Sequence, residues 1–314
     1  MVNPFQVPRT GPGSKEPLCP WRNPVHGTYY VDIDSTGAAF AEFERRVLPF
    51  PPSAEQGSLV VVTGETGCGK TSLIHRCVDR LDAETNRLDA GYMSGEFIVD
   101  LSRYLYADET VADRKKRIPE ICGQVIRSLV RKNVVPLPDE WFDALRGPGH
   151  REVYYKLAQR AVEYNFTLII ILPPVSDFVE ELKEYFYLAR ECAKIVFFTE
   201  SSESSIKHYL EAESQAGGEI IWLRVGPLAE SDGWLLVTDR LGRLAPGMVA
   251  GVREAELTRM VHEMKKIDEI SIRRMGAVLY GAWELHKDES PPGEIKAIDL
   301  WEQLIPELTF RTRA

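Results

Sequence analysis

With 314 residues and 44% hydrophobic content, the chain is long enough for one large α/β domain and a smaller one. Its net charge of −9 argues against a surface that coats nucleic acid non-specifically, because such binding relies on lysine and arginine side chains that neutralise phosphates. The five cysteines are odd in number and scattered, which argues against a disulfide framework or a zinc site and fits a reducing cytoplasm.

Other broad features narrow the class of protein further. No uninterrupted apolar run approaches about 18 residues, so we expect no membrane span. The first residues lack the basic and apolar regions of a signal peptide, and we therefore expect a cytoplasmic protein. The six histidines show no metal-binding spacing.

The first elements lead from an irregular arm into a buried strand. Residues 1–34 are rich in proline and glycine and predict an extended arm with little regular structure. Apolar residues at helical spacing predict a helix over 36–48, and the segment 49–57 links it to the next element. Residues 58–63 form an apolar, β-branched run between two glycines, which predicts a buried strand.

A phosphate-binding loop follows this strand directly. Residues 64–71 read G-x-x-x-x-G-K-T, the Walker A pattern, and apolar residues at helical spacing over 72–81 supply the helix that this pattern needs. Backbone N–H groups of such a loop, with the positive end of the helix, hold a polyphosphate. Lys70 can reach the β- and γ-phosphates, and the Thr71 hydroxyl can ligate Mg²⁺. The predicted nucleotide-binding residues are Gly64, Glu65, Thr66, Gly67, Cys68, Gly69, Lys70, Thr71 and Ser72.

Strands and helices then alternate as far as residue 223. We predict further strands at 95–101, 167–172, 194–199 and 219–223, and helices at 111–133, 151–164 and 179–192. This alternation predicts an α/β fold with a five-stranded parallel sheet and helices on both faces. The helix over 111–133 is basic, which indicates either a solvated face or a contact with a partner or nucleic acid. Pro119 is expected to lie in its first turn or to split it.

The pattern changes after Gly226. Three amphipathic helical stretches follow, near 230–242, 247–267 and 270–287, with no strand between them, and a short helix is expected near 298–307. They predict a C-terminal α-helical lid subdomain. The expected domains are an arm at 1–35, a phosphate-loop core at 36–227, the lid at 228–290 and a tail at 291–314.

This order of elements resembles the AAA+ and STAND branch of the P-loop ATPases, and within it the origin-recognition-complex-like ATPases. The resemblance covers roughly residues 36–290; its Walker A match is specific, and the remainder rests on the pattern of elements. It implies ATP with Mg²⁺ bound under a lid that closes over the nucleotide. Relatives carry a polar sensor 1 residue at the end of the fourth strand and a sensor 2 arginine at the start of the last lid helix. Thr199 and Arg273 match these positions, although a strand-ending threonine and a surface arginine are also ordinary features.

The sequence departs from this family where the third strand ends. Relatives carry two acidic residues there, the first holding Mg²⁺ through water and the second polarising the attacking water. Pro173 and Pro174 occupy these positions. Asp100 or Asp177 could replace the carboxylate from a neighbouring strand end, or Glu200 could act on the water. The third interpretation, which we favour, is a site that binds nucleotide and hydrolyses it poorly, because a substitute carboxylate must lie within hydrogen-bond reach.

Three functions therefore stay open, while the helical bundle after the fifth strand disfavours a fourth, a nucleoside or small-molecule kinase. The first is an ATP-driven conformational switch with weak hydrolysis, and the second is a nucleotide-binding scaffold subunit of a larger complex without hydrolysis. The third is a DNA-associated initiator or loader, which the acidic net charge does not support. Whether the chain is an ATP hydrolase is left undecided, and we expect a protein partner or self-association through the lid. The candidate catalytic residues are Lys70, Thr199, Glu200, Asp177 and Arg273.

Overall fold

The computed structural model describes twelve segments of the chain, and every structural statement below concerns them. These segments are residues 3–7, 16–33, 35–48, 56–86, 95–104, 111–133, 149–175, 179–202, 220–245, 252–267, 271–286 and 298–303.

A five-stranded sheet with all neighbouring strands parallel confirms the predicted α/β class. The strand interiors are apolar and buried, as is typical of a parallel sheet with helices on both faces. The sheet order is β2-β3-β4-β1-β5. The strands are β1 (Ser58–Thr63), β2 (Ile98–Asp100), β3 (Leu168–Ile171), β4 (Ile195–Ser201) and β5 (Ile220–Arg224).

Helices fill most of the remaining described chain, at positions close to those that the periodicity predicts. A short 3₁₀ helix, Pro24–Tyr29, lies in the arm, and residues 298–303 are also helical. The α-helices are α1 (Thr36–Val47), α2 (Lys70–Thr85), α3 (Val111–Lys132), α4 (His150–Glu163), α5 (Val179–Glu191), α6 (Asp232–Leu244), α7 (Glu254–Ile267) and α8 (Ile272–His286).

Pro119 neither starts nor divides its helix, which corrects both expectations for this residue. It lies inside α3, which continues from Val111 to Lys132. A proline in a helix interior removes one backbone hydrogen bond. Burial of the helix face that follows it offsets this cost, since Ile121, Val125 and Leu129 are fully buried in the core beside the sheet.

The chain divides into two compact units. The first, which we call the sheet unit, comprises Phe40–Gly64 and Leu73–Arg224. The second, the helical unit, comprises Met1–Ala39, Glu65–Ser72 and Val225–Ala314. The phosphate loop therefore groups with the arm and the C-terminal helices.

Each unit has its own hydrophobic core. In the sheet unit, strand residues such as Ile170 and Phe197 pack against Tyr154 of α4 and Tyr185 of α5. In the helical unit, α6, α7 and α8 contribute buried leucine, valine and methionine side chains around Trp283. Phe5 and Ile33 of the arm belong to this second core, so the arm is an integral part of the helical unit.

The edge strand β2 is shorter than the predicted 95–101. Gly95 has a φ of +86°, a left-handed conformation that ends the extended chain before β2 begins. Lys132, the last residue of α3, donates from Nζ to the carbonyl oxygens of Gly95 (2.6 Å), Glu96 (3.2 Å) and Ile98 (2.6 Å). One ammonium group thus satisfies three carbonyls next to the outer strand of the sheet.

The C-terminal end of α2 is fixed to the sheet by the side-chain amide of Asn86, which forms two hydrogen bonds with the backbone of Thr167. Asn86 donates from Nδ2 to the Thr167 carbonyl (3.1 Å), and its Oδ1 accepts from the Thr167 N–H (2.7 Å). The same amide donates to Asp82 of α2 (3.1 Å). The helix that follows the phosphate loop is therefore held in place where it ends, just before β3. Among the described residues, no helix combines the length and apolar character needed to cross a membrane.

Candidate nucleotide-binding site

The Walker A residues form a tight loop between β1 and α2. β1 ends at Thr63 and α2 begins at Lys70. Gly64, Gly67 and Gly69 have φ values of +152°, +89° and +83°. Residues with a Cβ rarely adopt these conformations, so the glycines are required for the loop to turn on itself. This is the backbone geometry that a phosphate-binding concavity needs.

The Lys70 side chain bends back over the loop. Its Nζ donates to the carbonyl oxygen of Glu65 at 2.8 Å, and the residue is only 8% exposed. Cys68 also donates its N–H to this carbonyl, at 3.3 Å. The ammonium group therefore lies within hydrogen-bond distance of the loop backbone, and phosphate oxygens could replace the carbonyl as its partner.

The first turn of α8 lies against this loop, within the helical unit. A Cβ at Gly67 would be 2.9 Å from both Cβ and Oγ of Ser271, and one at Gly69 would be 3.7 Å from Cγ2 of Ile272. Ser271 caps α8, because its Oγ accepts from the Arg274 N–H at 3.3 Å. Arg273, the predicted sensor 2 residue, lies in this same turn and is exposed.

The arm contacts the start of α2, which sequence reasoning missed. The Leu18 N–H donates to Oγ of Ser72 (3.1 Å), and the Tyr30 hydroxyl donates to the Ser72 carbonyl (2.7 Å). Arg243 of α6 in turn donates to the Tyr30 carbonyl. No local pattern could indicate these contacts, because they join residues 42 to 213 positions apart.

At the carboxyl end of the sheet, β3 and β4 continue to pair beyond the bounds of β3. The Val175 N–H donates to the Glu200 carbonyl at 2.9 Å. Pro173 is buried and Pro174 is exposed. Thr199, the predicted sensor 1 residue, is fully buried, and its hydroxyl donates to the Pro173 carbonyl at 3.0 Å. The hydroxyl thus bridges the two strands.

The candidate substitute carboxylates occupy different surroundings. Oδ1 of Asp100 accepts from the Ser102 N–H (3.0 Å) and the Ser102 hydroxyl (2.6 Å), so it stabilises the turn after β2. Glu200 is partly exposed beside Ser201, which pairs with Thr63 at the end of β1. Asp177 lies outside the described residues.

The donor set fits a nucleotide-held Mg²⁺ better than a protein-held metal. Within the described part of the chain, no cluster of three or more histidine, cysteine, aspartate or glutamate side chains could hold a metal ion. Mg²⁺ usually keeps several waters and binds through one or two protein groups together with substrate phosphates. The partly exposed Thr71 hydroxyl, next to the loop, suits that role.

Comparison with known proteins depends on structure alone. No family model matches the sequence, and no curated protein matches it. Among solved structures, the chain is similar to the ORC2 protein of Aeropyrum pernix in its ADPNP–ADP complexes, with a TM-score of 0.54 and 17% identity over 97% of this chain and 71% of that chain. It is equally similar to Cdc6p from Pyrobaculum aerophilum, with a TM-score of 0.54 and 13% identity over 85% and 65% of the two chains.

A third neighbour is the ORC1 protein of Aeropyrum pernix in complex with DNA, with a TM-score of 0.50 and 19% identity over 85% of this chain and 64% of that chain. The chain has the fold of these ORC and Cdc6 proteins. This confirms, at the level of the fold, the resemblance that the sequence indicates. The chain spans about two thirds of the length of ORC1 and Cdc6p.

Within the ORC/Cdc6-type fold, the predicted site residues fall into two groups. The loop from Glu65 to Ser72 and the first turn of α8, which carries Arg273, lie together in the helical unit. Thr199, Glu200 and Asp100 lie in the sheet unit, at the carboxyl ends of strands. The segments that the described residues bring into direct contact are therefore the phosphate loop, the arm, the start of α2 and the start of α8.

Proposed function

We propose that this chain binds ATP with Mg²⁺ at the phosphate loop and uses the bound nucleotide as a conformational switch. The observation that carries the proposal is the contact between the loop glycines and the first turn of α8. The left-handed conformations of Gly67 and Gly69, the ammonium of Lys70 and the hydroxyl of Thr71 support nucleotide binding. When bound, Mg²⁺ would neutralise phosphate charge next to Thr71.

The close approach of α8 to the loop supports the switch. A triphosphate draws the Lys70 ammonium away from the Glu65 carbonyl and occupies the concavity beside Gly67. Because Ser271 already lies in close contact with Gly67, the first turn of α8 responds to that change. Met275 and Trp283 of α8 are buried in the helical-unit core, so the helix moves with its packed neighbours. A ligand shifts such an equilibrium by its difference in affinity for the two states.

Hydrolysis in this proposal is weak. Pro173 and Pro174 stand where the relatives that the sequence resembles carry acidic residues, and neither has a carboxylate. The hydrogen bonds that Asp100 accepts from Ser102 support a structural role for this carboxylate in the turn after β2. The state of the switch then depends on binding and release of nucleotide. A scaffold subunit that binds nucleotide without turnover is the second candidate, and the same two prolines favour it.

Isothermal titration with ATP and Mg²⁺ tests the binding step. Wild-type protein is expected to bind in the micromolar range, and Lys70→Ala is expected to reduce the affinity at least about tenfold because it removes a charge-assisted partner of the phosphates. Lys156→Ala is the matched control, since Lys156 lies on α4 and forms a surface ion pair with Glu152. Absence of ATP and GTP binding by folded wild-type protein would contradict the proposal.

Hydrogen exchange separates the switch from simple binding. Saturating ATP is expected to change amide protection at residues 271–275, the first turn of α8, in wild-type protein and not in Lys70→Ala. If ATP binds and this turn shows unchanged protection, the switch is wrong although the binding site stands.

Phosphate release tests whether hydrolysis is weak. We expect slow turnover that Lys70→Ala removes and Glu200→Gln leaves unchanged. Rapid turnover that Glu200→Gln abolishes would show that Glu200 replaces the missing carboxylate.

A further inference from the structure

The N-terminal part of the arm forms a tight turn that is buried in the helical unit. Asn3, Pro4 and Phe5 are all buried. The Phe5 N–H donates to Oδ1 of Asn3 at 2.9 Å, and the Gln6 N–H donates to the Asn3 carbonyl at 3.1 Å. An asparagine side chain and a backbone bond therefore close the same turn.

Helix α8 recognises the side chains of this turn. Nδ2 of Asn3 donates to the Tyr280 carbonyl (3.2 Å) and to Oε1 of Glu284 (2.9 Å). Phe5 packs edge-to-face on Trp283, with ring centroids 6.3 Å apart. The Asn3 amide thus uses its two donor hydrogens on α8 and its oxygen within the turn.

Arg240 of α6 holds the backbone of the turn. It is 8% exposed, donates from one terminal nitrogen to the Pro4 carbonyl at 3.3 Å, and stacks on the ring of Tyr29 at 4.6 Å. We call the surface formed by Arg240, Tyr280, Trp283 and Glu284 the turn groove.

The turn groove contains two hydrogen-bond donors that residues 3–7 do not bind. Nε of Arg240 and Nε1 of Trp283 are buried and have no hydrogen-bond partner within the described part of the chain. Among the described residues no ion pair joins the buried Arg240 to a carboxylate, although the charge of neighbouring Asp239 acts on it. Buried donors without acceptors are unfavourable, so an occupant that supplied acceptors at these atoms would bind more tightly.

We propose that the turn groove is a peptide-binding site for a partner segment that carries an Asn-Pro-Phe turn flanked by an acidic residue, and that residues 3–7 occupy it in cis. The side-chain contacts of Asn3 and Phe5 define the turn, and the unpaired donors of Arg240 and Trp283 are the reason to expect an acidic residue beside it. Partner binding displaces the chain's own turn from α6 and α8.

Fluorescence anisotropy on the full chain tests this site. The probes are two labelled synthetic peptides. The plain peptide, Val-Asn-Pro-Phe-Gln-Val, copies residues 2–7. The acidic peptide has the same sequence with one aspartate added at each end. The Asn3→Ala, Phe5→Ala double variant empties the groove, and its folding is checked by circular dichroism and thermal melting.

The expected pattern has three parts. The emptied variant binds the probe saturably, and wild-type protein binds it at least about tenfold more weakly, because the tethered turn competes at high effective concentration. An Asn-to-Ala change in the peptide weakens binding at least about tenfold. The acidic peptide binds more tightly than the plain one, and Arg240→Met, which keeps the bulk of the side chain, removes that gain.

A second measurement covers the case in which the double variant does not fold. In wild-type protein, an excess of the acidic peptide is expected to speed amide exchange at Phe5 and Gln6, because their turn is displaced. Unchanged exchange, or a folded emptied variant that binds no peptide, would overturn the proposal. If the peptide binds equally to the wild-type protein and to the double variant, it binds outside the turn groove, and the proposal is overturned. If the wild-type protein forms a dimer and the double variant does not, the groove binds a second copy of the chain, and the proposal is likewise overturned.

Discussion

Ser271 at the start of α8 lies so close to Gly67 that a Cβ at Gly67 would be 2.9 Å from two of its side-chain atoms. Gly67 also has a φ of +89°, which disfavours any side chain there for a second and independent reason. The loop position is therefore constrained both by its own backbone and by a helix some 200 residues further along the chain.

We expect Gly67→Ala to lower the free energy of unfolding by about 1–3 kcal/mol and to weaken ATP binding, because the loop must leave its strained conformation and move from Ser271. Urea denaturation and isothermal titration measure the two effects. Adding Ser271→Gly should recover only the part that comes from the contact. Gly276→Ala, within α8 and with open space at its Cβ, is the control, and an equal loss there would contradict the explanation.

Tyr30→Phe tests the contact between the arm and the start of α2. The substitution removes the hydrogen bond from the Tyr30 hydroxyl to the Ser72 carbonyl, which is 2.7 Å long. We expect a loss of about 1 kcal/mol in the free energy of unfolding, measured with urea. Tyr155→Phe is the matched control because Tyr155 is 53% exposed, and it should have almost no effect.

Pro174→Glu tests the reason given for weak hydrolysis. Pro174 is exposed, so the change should alter stability by less than about 0.5 kcal/mol. If this position lacks the group that polarises water, phosphate release should rise at least about tenfold. Pro174→Gln, without the charge, should stay at the wild-type rate. A rise in the Gln variant, or one that survives Lys70→Ala, would show that the carboxylate is not responsible.

The pair formed by Arg151 and Glu184 predicts a pH dependence of stability. Hydrogen bonds from Arg151 and His150 lower the pKa of Glu184 from its usual value of 4.5. Because the folded-state pKa lies below the unfolded one, this stabilisation is present above pH 4.5 and is lost as the pH falls below it. Glu184→Gln should therefore lower the free energy of unfolding by about 1 kcal/mol near neutral pH and by less in acid. Glu163→Gln, which breaks an exposed pair with Arg160, should cost less at neutral pH.

The cysteines should resist modification in the native state. All five are buried, and burial raises the pKa of both Cys122 and Cys192 to about 12. Thiolates are therefore rare at about pH 8, and alkylation should be slow until urea unfolds the chain, as mass spectrometry can show. Fast native labelling of Cys68 would instead mark the phosphate loop as open.

Local patterns were enough to predict the architecture. The run of apolar residues at 58–63, the glycine pattern and the helical periodicity that follows are all encoded within about 25 consecutive residues. The five strands and most helices follow from the same kind of signal, which confirms the α/β class. The first and last residues of the strands were less predictable, because backbone pairing between strands sets them and hydrophobicity does not. The strand β2, for example, extends only from Ile98 to Asp100, whereas the sequence predicts 95–101.

Long-range hydrogen bonds limited what could be predicted of the site. A threonine at the end of β4 was predictable, but the direction of its hydroxyl toward the Pro173 carbonyl was not, since that depends on the register of β3 and β4. The contacts of Asn3 with α8 span more than 270 residues, and no periodicity carries such information. The roles of Thr199, Glu200 and Arg273 remain predictions.

The hydrogen bonds from Lys132 to the start of β2 also affect the accessibility of this sheet edge to other molecules. An outer strand normally offers a row of unpaired backbone groups on which a strand from another molecule can add, and lysine is among the residues that prevent this. Here the outer strand has only three residues, and an ammonium group already binds the carbonyls at its start. The side chain that binds this edge therefore occupies carbonyl groups that a strand from another molecule would need for pairing.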